Sequence, residues 1–221
     1  MKSVYLIAVF GILVLGLLVA GCTQQVQAPP TITVTPTPTP TPVPPPFPNA
    51  IALNSYANYG GGDRQAEATV YAYKVLANYN WTSPMWNSPF AQVAAGPSGV
   101  EYGYNTETPH AGNTFLFVWI KIINTGKYAM YVPGPNQWTV FTNGVEYNQS
   151  AIPTPQVTID QIPGKQYTDL VDSSGTTVVQ PGASNDLDGY LIYEIPSSFD
   201  PTATYVACNL DFINQTVWKL A

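Results

Sequence analysis

The strongest constraint on the fold is the run from Thr114 to Asn124, in which side chains alternate with a period of two. One face is aliphatic and the other carries three aromatic rings and a lysine: Leu116, Val118, Ile120 and Ile122 against Phe115, Phe117, Trp119 and Lys121. A period of two is that of a β-strand and not of a helix. We expect the aliphatic face to be buried and the face with Lys121 to be the outer one.

Other strand-like runs separated by turn residues follow along the chain, and helical periodicity is almost absent. They span residues 66–76, 138–141, 145–147, 176–179, 187–195, 204–213 and 216–220. The dipeptide Asn143-Gly144 is typical of a two-residue β-hairpin. The sequence therefore predicts an all-β fold, an antiparallel β-sandwich of seven to eight strands.

Residues 1–22 predict a lipoprotein signal peptide. A single lysine, Lys2, precedes an apolar run at 4–20, and Ala20-Gly21 precede Cys22. Small residues before a cleavage site are typical of signal peptides. Residues 18–22 resemble the lipobox of prokaryotic lipoproteins, which implies that Cys22 becomes the lipidated first residue of the mature chain. An uncleaved membrane helix is the alternative, because the run approaches the roughly 20 residues that span a bilayer. Either way, the rest of the chain faces the extracytoplasmic side of the cell membrane.

Residues 23–50 predict a disordered, Pro/Thr-rich linker. Ten of the 22 prolines lie there, in a segment that contains TPTPTPTP. Proline removes amide donors and fixes φ, so an extended polyproline II spacer is expected. Binding by a proline-recognition module and O-linked sugars on the threonines are the alternatives. Residues 51–221 are then predicted to form the β-sandwich domain.

Composition limits the classes of partner and of bond that the chain can use. The net charge is −6 and only 9% of residues are charged, which argues against a nucleic-acid partner. The chain has one histidine, His110, and two cysteines. If Cys22 carries lipid, Cys208 has no disulfide partner, and we expect it to be a small buried side chain.

Few residues could act as catalytic groups or metal ligands, so the sequence predicts no enzyme and no cofactor. His110 lies in a loop-like segment, and no nucleophile-elbow motif accompanies it. A zinc site made of protein ligands alone is not expected. Residues 185–189 resemble a fragment of a calcium loop without its bidentate glutamate, and Asp160, Asp169 and Asp172 are further acidic loop residues. A solvated turn is the alternative to calcium binding there.

An aromatic insertion at 77–111 offers candidate ligand-binding residues: Tyr79, Trp81, Trp86 and Phe90. Aromatic rings among Ser, Asn and Gly are typical of binding surfaces, and long loops in compact domains are often functional. The alternative is that Trp81, Trp86 and Phe90 fold back and plug an open end of the sandwich.

Three segments match the N-glycosylation pattern, with candidate acceptors Asn80, Asn148 and Asn214. Such matches matter only in an organism that glycosylates exported proteins. Together with the Thr-Pro spacer and the lipobox, they favour an archaeal source.

Several elements in a fixed order resemble a known family. They are Gly112, Phe115, Val118, Ile120, Ile122, Asn124-Thr125-Gly126, Trp138, Val140, Gly144, Tyr147, Gln180-Pro181-Gly182, Gly189-Tyr190-Leu191, Tyr193, Ile195-Pro196 and Trp218. Over residues 64–221 the chain resembles the immunoglobulin-like domain of unknown function found in many bacterial and archaeal lipoproteins. The resemblance implies a secreted or membrane-anchored sandwich and brings no functional residues with it.

These observations together predict a non-enzymatic, lipid-anchored binding or interaction module at the cell envelope. Its expected partners are the membrane, through lipid on Cys22, and an envelope protein or glycan. The alternatives are a carbohydrate-binding module that uses Trp81 and Trp86, and an envelope subunit that assembles with copies of itself.

Overall fold

Fourteen strands account for most of the regular structure in the described part of the chain. The computed structural model describes residues 46–82, 104–150, 157–174, 176–211 and 215–221. One short helix, α1 (Tyr167–Leu170), lies between β10 and β11. The strands are β1 (Ile51–Ala52), β2 (Tyr56–Gly61), β3 (Arg64–Leu76), β4 (Tyr79–Thr82), β5 (Tyr104–Glu107), β6 (Asn113–Asn124), β7 (Met130–Tyr131), β8 (Trp138–Thr142), β9 (Val145–Tyr147), β10 (Thr158–Ile159), β11 (Val178–Val179), β12 (Leu187–Pro196), β13 (Tyr205–Asn209) and β14 (Gln215–Lys219).

Two large sheets form the sandwich. Sheet A has the order β1-β14-β13-β8-β9 and sheet B the order β12-β6-β3-β2. Neighbouring strands are antiparallel except β1, which runs parallel to β14. When β6, β8, β12, β13 and β14 are matched to immunoglobulin strands B, C, E, F and G, sheet A holds C, F and G and sheet B holds B and E. This is the division of strands that defines the immunoglobulin sandwich.

The main core lies between sheets A and B. Its buried side chains come from β3, β6 and β12 on one side and from β8, β13 and β14 on the other. Trp138 of β8 packs against Trp218 of β14 with ring centroids 5.7 Å apart, and both side chains are fully buried. A buried tryptophan on strand C is a hallmark of immunoglobulin domains, and Trp138 occupies that position.

Strand β6 confirms one prediction and contradicts another. Its aliphatic face is fully buried, as the alternation predicts. The prediction that the opposite face is the outer one is wrong, because Phe115, Phe117 and Trp119 are buried too. They form a second core with Tyr190 and Ile192 of β12 and with side chains of β4 and β10. Lys121 and Ile123, beyond the edge of this second core, remain partly exposed.

The second core exists because a small sheet covers half of sheet B. Sheet C has the order β10-β4-β5. Strands β4 and β5 come from the two ends of the predicted insertion and pair with each other from Tyr79↔Glu107 to Thr82↔Tyr104. The intervening residues 83–103 lie outside the described ranges. The ends of the insertion are therefore structural, and sheet B is covered on both faces where they lie.

Two further predictions are confirmed, and the predicted strand count is too low. Strands β8 and β9 pair across Asn143 and Gly144, whose φ angles of 52° and 78° are those of a type I′ turn. Cys208 on β13 is buried and free of a disulfide. Seven to eight strands were too few because β1, β2, β4, β5, β7 and β10 are absent from that count; most are too short to show a periodic pattern.

The segment just before β1 packs onto the domain. Phe47 makes edge-on contacts with Phe141 and Tyr205, each with ring centroids 5.2 Å apart. Together with Ala207 and Val217 these rings form a small apolar cluster on the outer face of sheet A. Helices long and apolar enough to cross a membrane do not occur within the described ranges.

Candidate functional site

Two of the four aromatic residues predicted to bind ligand lie in the second core. Trp81 on β4 is 7% exposed, and its Nε1 donates a hydrogen bond to Glu107 Oε1 at 3.0 Å. Tyr79 packs edge-on against Phe115 and Phe117, with ring centroids 4.8 and 5.3 Å apart. The plug alternative predicts a buried Trp81 at an open end of the sandwich, whereas this buried ring lies on the outer face of sheet B. The other two candidates, Trp86 and Phe90, lie outside the described residues.

The structure points to a different aromatic site, on the part of sheet B that sheet C leaves open. A β-bulge between Val70 and Ala72 shifts the register of β3 against β6 and adds Tyr71 to the outer face. Bulges are frequent next to functional sites because they re-aim a side chain. The phenol of Tyr71 crosses over β6 and donates a hydrogen bond to Asp188 Oδ1 of β12 at 2.7 Å. Tyr71 thus forms a ridge across the middle of the sheet.

On one side of this ridge lies a cleft of about 380 Å³, which we call the Tyr71 cleft. It lies within the range of about 300–1,000 Å³ that is typical of small-ligand sites. Its lining is made of Tyr71, Ala72, Tyr73, Lys74, Trp119, Gln161 and Pro163.

Hydrogen bonds hold the wall of the cleft opposite Tyr71. The Nζ atom of Lys74 donates to the carbonyl of Gln161 at 3.1 Å. The indole Nε1 of Trp119 donates to the carbonyl of Pro163 at 3.1 Å, so the 161–163 loop is tied to both β3 and β6. Gln161 adopts a left-handed φ of 60°, an unfavourable conformation for a residue with a side chain. The cleft is therefore built by specific contacts that hold its loop in place.

On the other side of the ridge, Lys121 forms an ion pair with Asp186, with Nζ 3.1 Å from Oδ2. This hydrogen bond, helped by the negative charge of Asp188, raises the pKa of Lys121 above its ordinary value. Burial, together with the hydrogen bond to Asp188, also raises the pKa of Tyr71. The raised pKa values therefore keep the Tyr71 phenol and the Lys121 amine protonated at neutral pH. These groups can bind and orient a ligand, and none is an activated nucleophile.

His110, the single histidine, takes part in the hydrogen bonds that hold the loop before β6. Its Nδ1 lies 2.9 Å from Glu194 Oε1, and its backbone N–H donates to the same oxygen at 2.7 Å. Asn113 Nδ2 donates to that oxygen as well, at 2.8 Å. Partial burial alone would raise the pKa of Glu194, but the hydrogen bonds from Asn113 and His110 outweigh it and lower the pKa. The imidazole side chain is 89% exposed and contacts a carboxylate. The hydrogen bonds of this cluster therefore hold the loop before β6 in place.

We expect Glu194→Gln to reduce the loss of stability at acid pH. Because the pKa of Glu194 is lowered in the folded chain, its stabilising contribution is complete above the ordinary glutamate pKa of about 4.3 and is lost as the pH falls further. Melting temperatures at pH 7 and below pH 4 should differ less in Glu194→Gln than in the unmodified chain. The exposed Glu146→Gln is the control, since it removes the same charge without a comparable set of donors. An equal pH dependence in all three chains would contradict this account.

The candidate calcium residues have no common site. Within the described ranges no three histidine, cysteine, aspartate or glutamate side chains are placed to hold a metal ion together. Asp172 instead accepts hydrogen bonds from the hydroxyls of Ser174 and Thr177, which lower the pKa of its carboxyl group.

The candidate glycosylation sites differ in their surroundings. The amide oxygen of Asn80 accepts a hydrogen bond from the Thr106 hydroxyl at 2.7 Å within sheet C. Asn148 is exposed just after β9. Asn214 lies outside the described residues.

The Tyr71 cleft was missed in the sequence because its residues come from three separate segments. Tyr71 and Lys74 lie in a strand that reads as regular, and Trp119 lies on the face of β6 that was expected to be outer. The bulge has no signature in the residues Val70-Tyr71-Ala72. Gln161 and Pro163 belong to a loop to which the sequence assigns no role.

Comparison with known proteins yields structural similarity only. The chain matches no known sequence family, and no curated protein matches it significantly. An uncharacterized β-sandwich protein of Clostridium difficile is 13% identical, with a TM-score of 0.40 over 78% of this chain and 93% of that one. The YjhA protein of Bacillus subtilis is 12% identical, with a TM-score of 0.44 over 77% and 99% of the two chains. YcdA of Bacillus subtilis, described as a candidate lipoprotein, is 10% identical, with a TM-score of 0.37 over 74% of this chain and 38% of that one.

Proposed function

We propose that this chain is a lipid-anchored, non-enzymatic binding module that holds a β-sandwich outside the membrane and binds an envelope component in the Tyr71 cleft. The observation that carries the proposal is the cleft itself, about 380 Å³ in volume and open on the outer face of sheet B. Concave, largely apolar sites with a few convergent polar groups are the usual place for a ligand. The cleft has this composition, with one lysine, two tyrosines and one glutamine beside Ala72, Trp119 and Pro163.

The sequence before the domain supports the anchoring. The residues that precede Cys22 resemble a lipobox, and the Pro/Thr-rich composition after Cys22 is that from which a spacer is predicted. Phe47, near the end of the predicted 23–50 spacer, already packs on sheet A, so the folded domain begins before the predicted end of that spacer. An anchored domain at the end of a spacer is suited to binding material in the envelope.

The chain is proposed to be non-enzymatic because neither the imidazole nor the Tyr71 phenol is arranged for catalysis. In a Ser-His-Asp arrangement the general base is a histidine that faces a nucleophile. In this chain the imidazole faces the Glu194 carboxylate. The phenol of Tyr71, with a raised pKa, is a hydrogen-bond donor and not a nucleophile.

We expect Cys22→Ala to abolish lipid modification and leave an uncleaved precursor. The thiol of Cys22 is the group that would carry the lipid, and alanine offers no attachment point. Metabolic labelling with a radioactive fatty acid, together with the mass of the membrane fraction's product, measures both effects. Cys208→Ala is the matched control and should keep lipid and processing. Unchanged labelling and processing in Cys22→Ala would contradict the anchoring.

We expect Tyr71→Ala to weaken binding to the envelope, because aromatic anchors dominate binding sites. The measurement is retention of the full chain, in lipid nanodiscs, on washed envelope material from the source cells. Tyr128→Ala is the matched control, since Tyr128 is a tyrosine that is 57% exposed and does not line the cleft. Thermal melting establishes that both variants are folded. Equal retention of Tyr71→Ala and the unmodified chain would mean that the binding site lies elsewhere.

A carbohydrate ligand is the second candidate. It is favoured by the half-buried ring of Tyr71 beside the Asp188 carboxylate and the Lys74 ammonium. Stacking on a ring combined with hydrogen bonds to charged groups is a common way to hold a sugar. A glycan array probed with the full chain and with Tyr71→Ala tests it, and specific spots lost in the variant would support a glycan ligand.

A further inference from the structure

The Tyr71 cleft lies beside backbone that has no partner strand among the described residues. Pairing between β2 and β3 ends at Tyr56↔Thr69, whereas β3 continues to Leu76. From Tyr71 to Val75 the strand pairs with β6 on one side only, and no described backbone group hydrogen-bonds to it on the other. Among the described residues this part of β3 is thus a sheet edge, and a sheet edge presents a row of N–H and C=O groups to which another strand can bind.

The cleft and the free edge are made of the same residues. Four consecutive residues of β3, from Tyr71 to Lys74, line the cleft. An extended peptide that adds to a sheet edge gains main-chain hydrogen bonds along the edge and specificity from pockets that take alternate side chains. A strand added beside residues 71–75 would direct alternate side chains to the outer face of sheet B, where the cleft lies.

The charge of the cleft indicates which peptide would fit. Lys74 lines the cleft, and its ammonium group donates to a neutral acceptor, the carbonyl of Gln161, at 3.1 Å. The nearest carboxylate of the ridge, Asp188, already accepts the hydrogen bond from Tyr71. The cleft therefore offers the ammonium group of Lys74 beside an apolar floor.

We infer that the ligand of the Tyr71 cleft is an extended peptide strand that pairs with β3 between Tyr71 and Val75. One large apolar side chain of the peptide enters the cleft, and a neighbouring acidic side chain pairs with Lys74. This inference rests on the proposed function, because it names the ligand class of the same site. A glycan fits the geometry less well, because Trp119 is only 8% exposed and leaves Tyr71 as the main ring available for stacking. A glycan also leaves the edge of β3 unpaired.

The probe is a displayed library of linear peptides, selected against the full chain in lipid nanodiscs. We expect enrichment of sequences that place an acidic residue next to a large apolar one. Hydrogen exchange then tests the pairing, because peptide binding should slow exchange at alternate amides between Tyr71 and Val75. Failure to enrich any linear peptide would overturn the inference, as would a binding peptide that leaves those amides unprotected or that protects β2 or β9 instead.

Charge reversal tests the role of Lys74. Lys74→Glu should weaken binding of the selected peptides about tenfold or more. Lys127→Glu is the matched control, because Lys127 is an exposed lysine paired with Asp63 outside the cleft, and it should change the affinity less than about twofold. Equal effects of the two substitutions would overturn the assignment of the acidic residue to Lys74.

Treatment of the envelope material separates this inference from the proposed function. If the ligand is a peptide, protease digestion should abolish retention of the full chain and periodate oxidation of sugars should not. Retention that survives protease, is lost on oxidation and still requires Tyr71 would overturn the peptide ligand and leave the proposed function intact. Self-association of the unmodified chain through the same edge, detected as a concentration-dependent mass that Lys74→Glu removes, would also overturn the peptide ligand.

Discussion

We expect Trp81→Ala to lower the free energy of unfolding by about 3–5 kcal/mol, the range for truncating a buried tryptophan. Trp81 contacts the second core from β4 and donates to Glu107, so the substitution both opens a cavity and leaves a carboxylate without its donor. Chemical denaturation monitored by circular dichroism measures the change.

The matched control for Trp81 is Tyr128→Ala, which removes an exposed aromatic ring. Exposed substitutions usually change stability by less than about 0.5 kcal/mol. If Trp81→Ala were as mild as this control, the strands at the ends of the 77–111 insertion would not be part of the folded core. Their role would then be confined to binding.

We expect Ile120→Ala to cost about 2–5 kcal/mol, because its side chain is fully buried between sheets A and B. The same strand provides the control. Ile123 lies on the opposite face and is only half-buried, so Ile123→Ala should cost clearly less. Urea denaturation of both variants gives the two values. Equal losses would mean that the assignment of the two faces of β6 is wrong.

Strand β6 illustrates which parts of the fold the sequence predicts. Four aliphatic residues at a spacing of two place Ile120 on the inner face whatever covers the other face. The Asn143-Gly144 turn is local as well, since left-handed φ angles favour these residue types wherever they occur. Cys208 is predicted for a similar reason, because an unpaired cysteine within an apolar strand is most stable when buried.

The second core could not be predicted because its cover is remote in sequence. Phe115, Phe117 and Trp119 alternate with aliphatic residues, and a strand buried on both faces reads as a nearly continuous apolar run. Lys121 at the end of the run indicates that its own position is exposed to solvent. It does not show whether the three aromatic residues before it are exposed. Whether sheet C lies over the three rings depends on β4, β5 and β10, which are too short to show a period.

The candidate site was even less predictable. Tyr71 reaches the outer face through a bulge, which depends on how β3 and β6 align and not on residue type. The cleft also needs the 161–163 loop, whose position is set by hydrogen bonds from Lys74 and Trp119. Aromatic composition alone does not give the role of each ring, because that role depends on contacts between distant segments.

The parallel pairing of β1 with β14 has a mechanical consequence. A pull on the chain before Phe47 reaches the Phe47, Phe141 and Tyr205 rings first and then acts along β1. Along that direction the hydrogen bonds to β14 are sheared together and are not peeled apart one after another. A chain stretched between a fixed anchor and a partner bound in the Tyr71 cleft would load this edge of sheet A before the force reaches the cleft on sheet B.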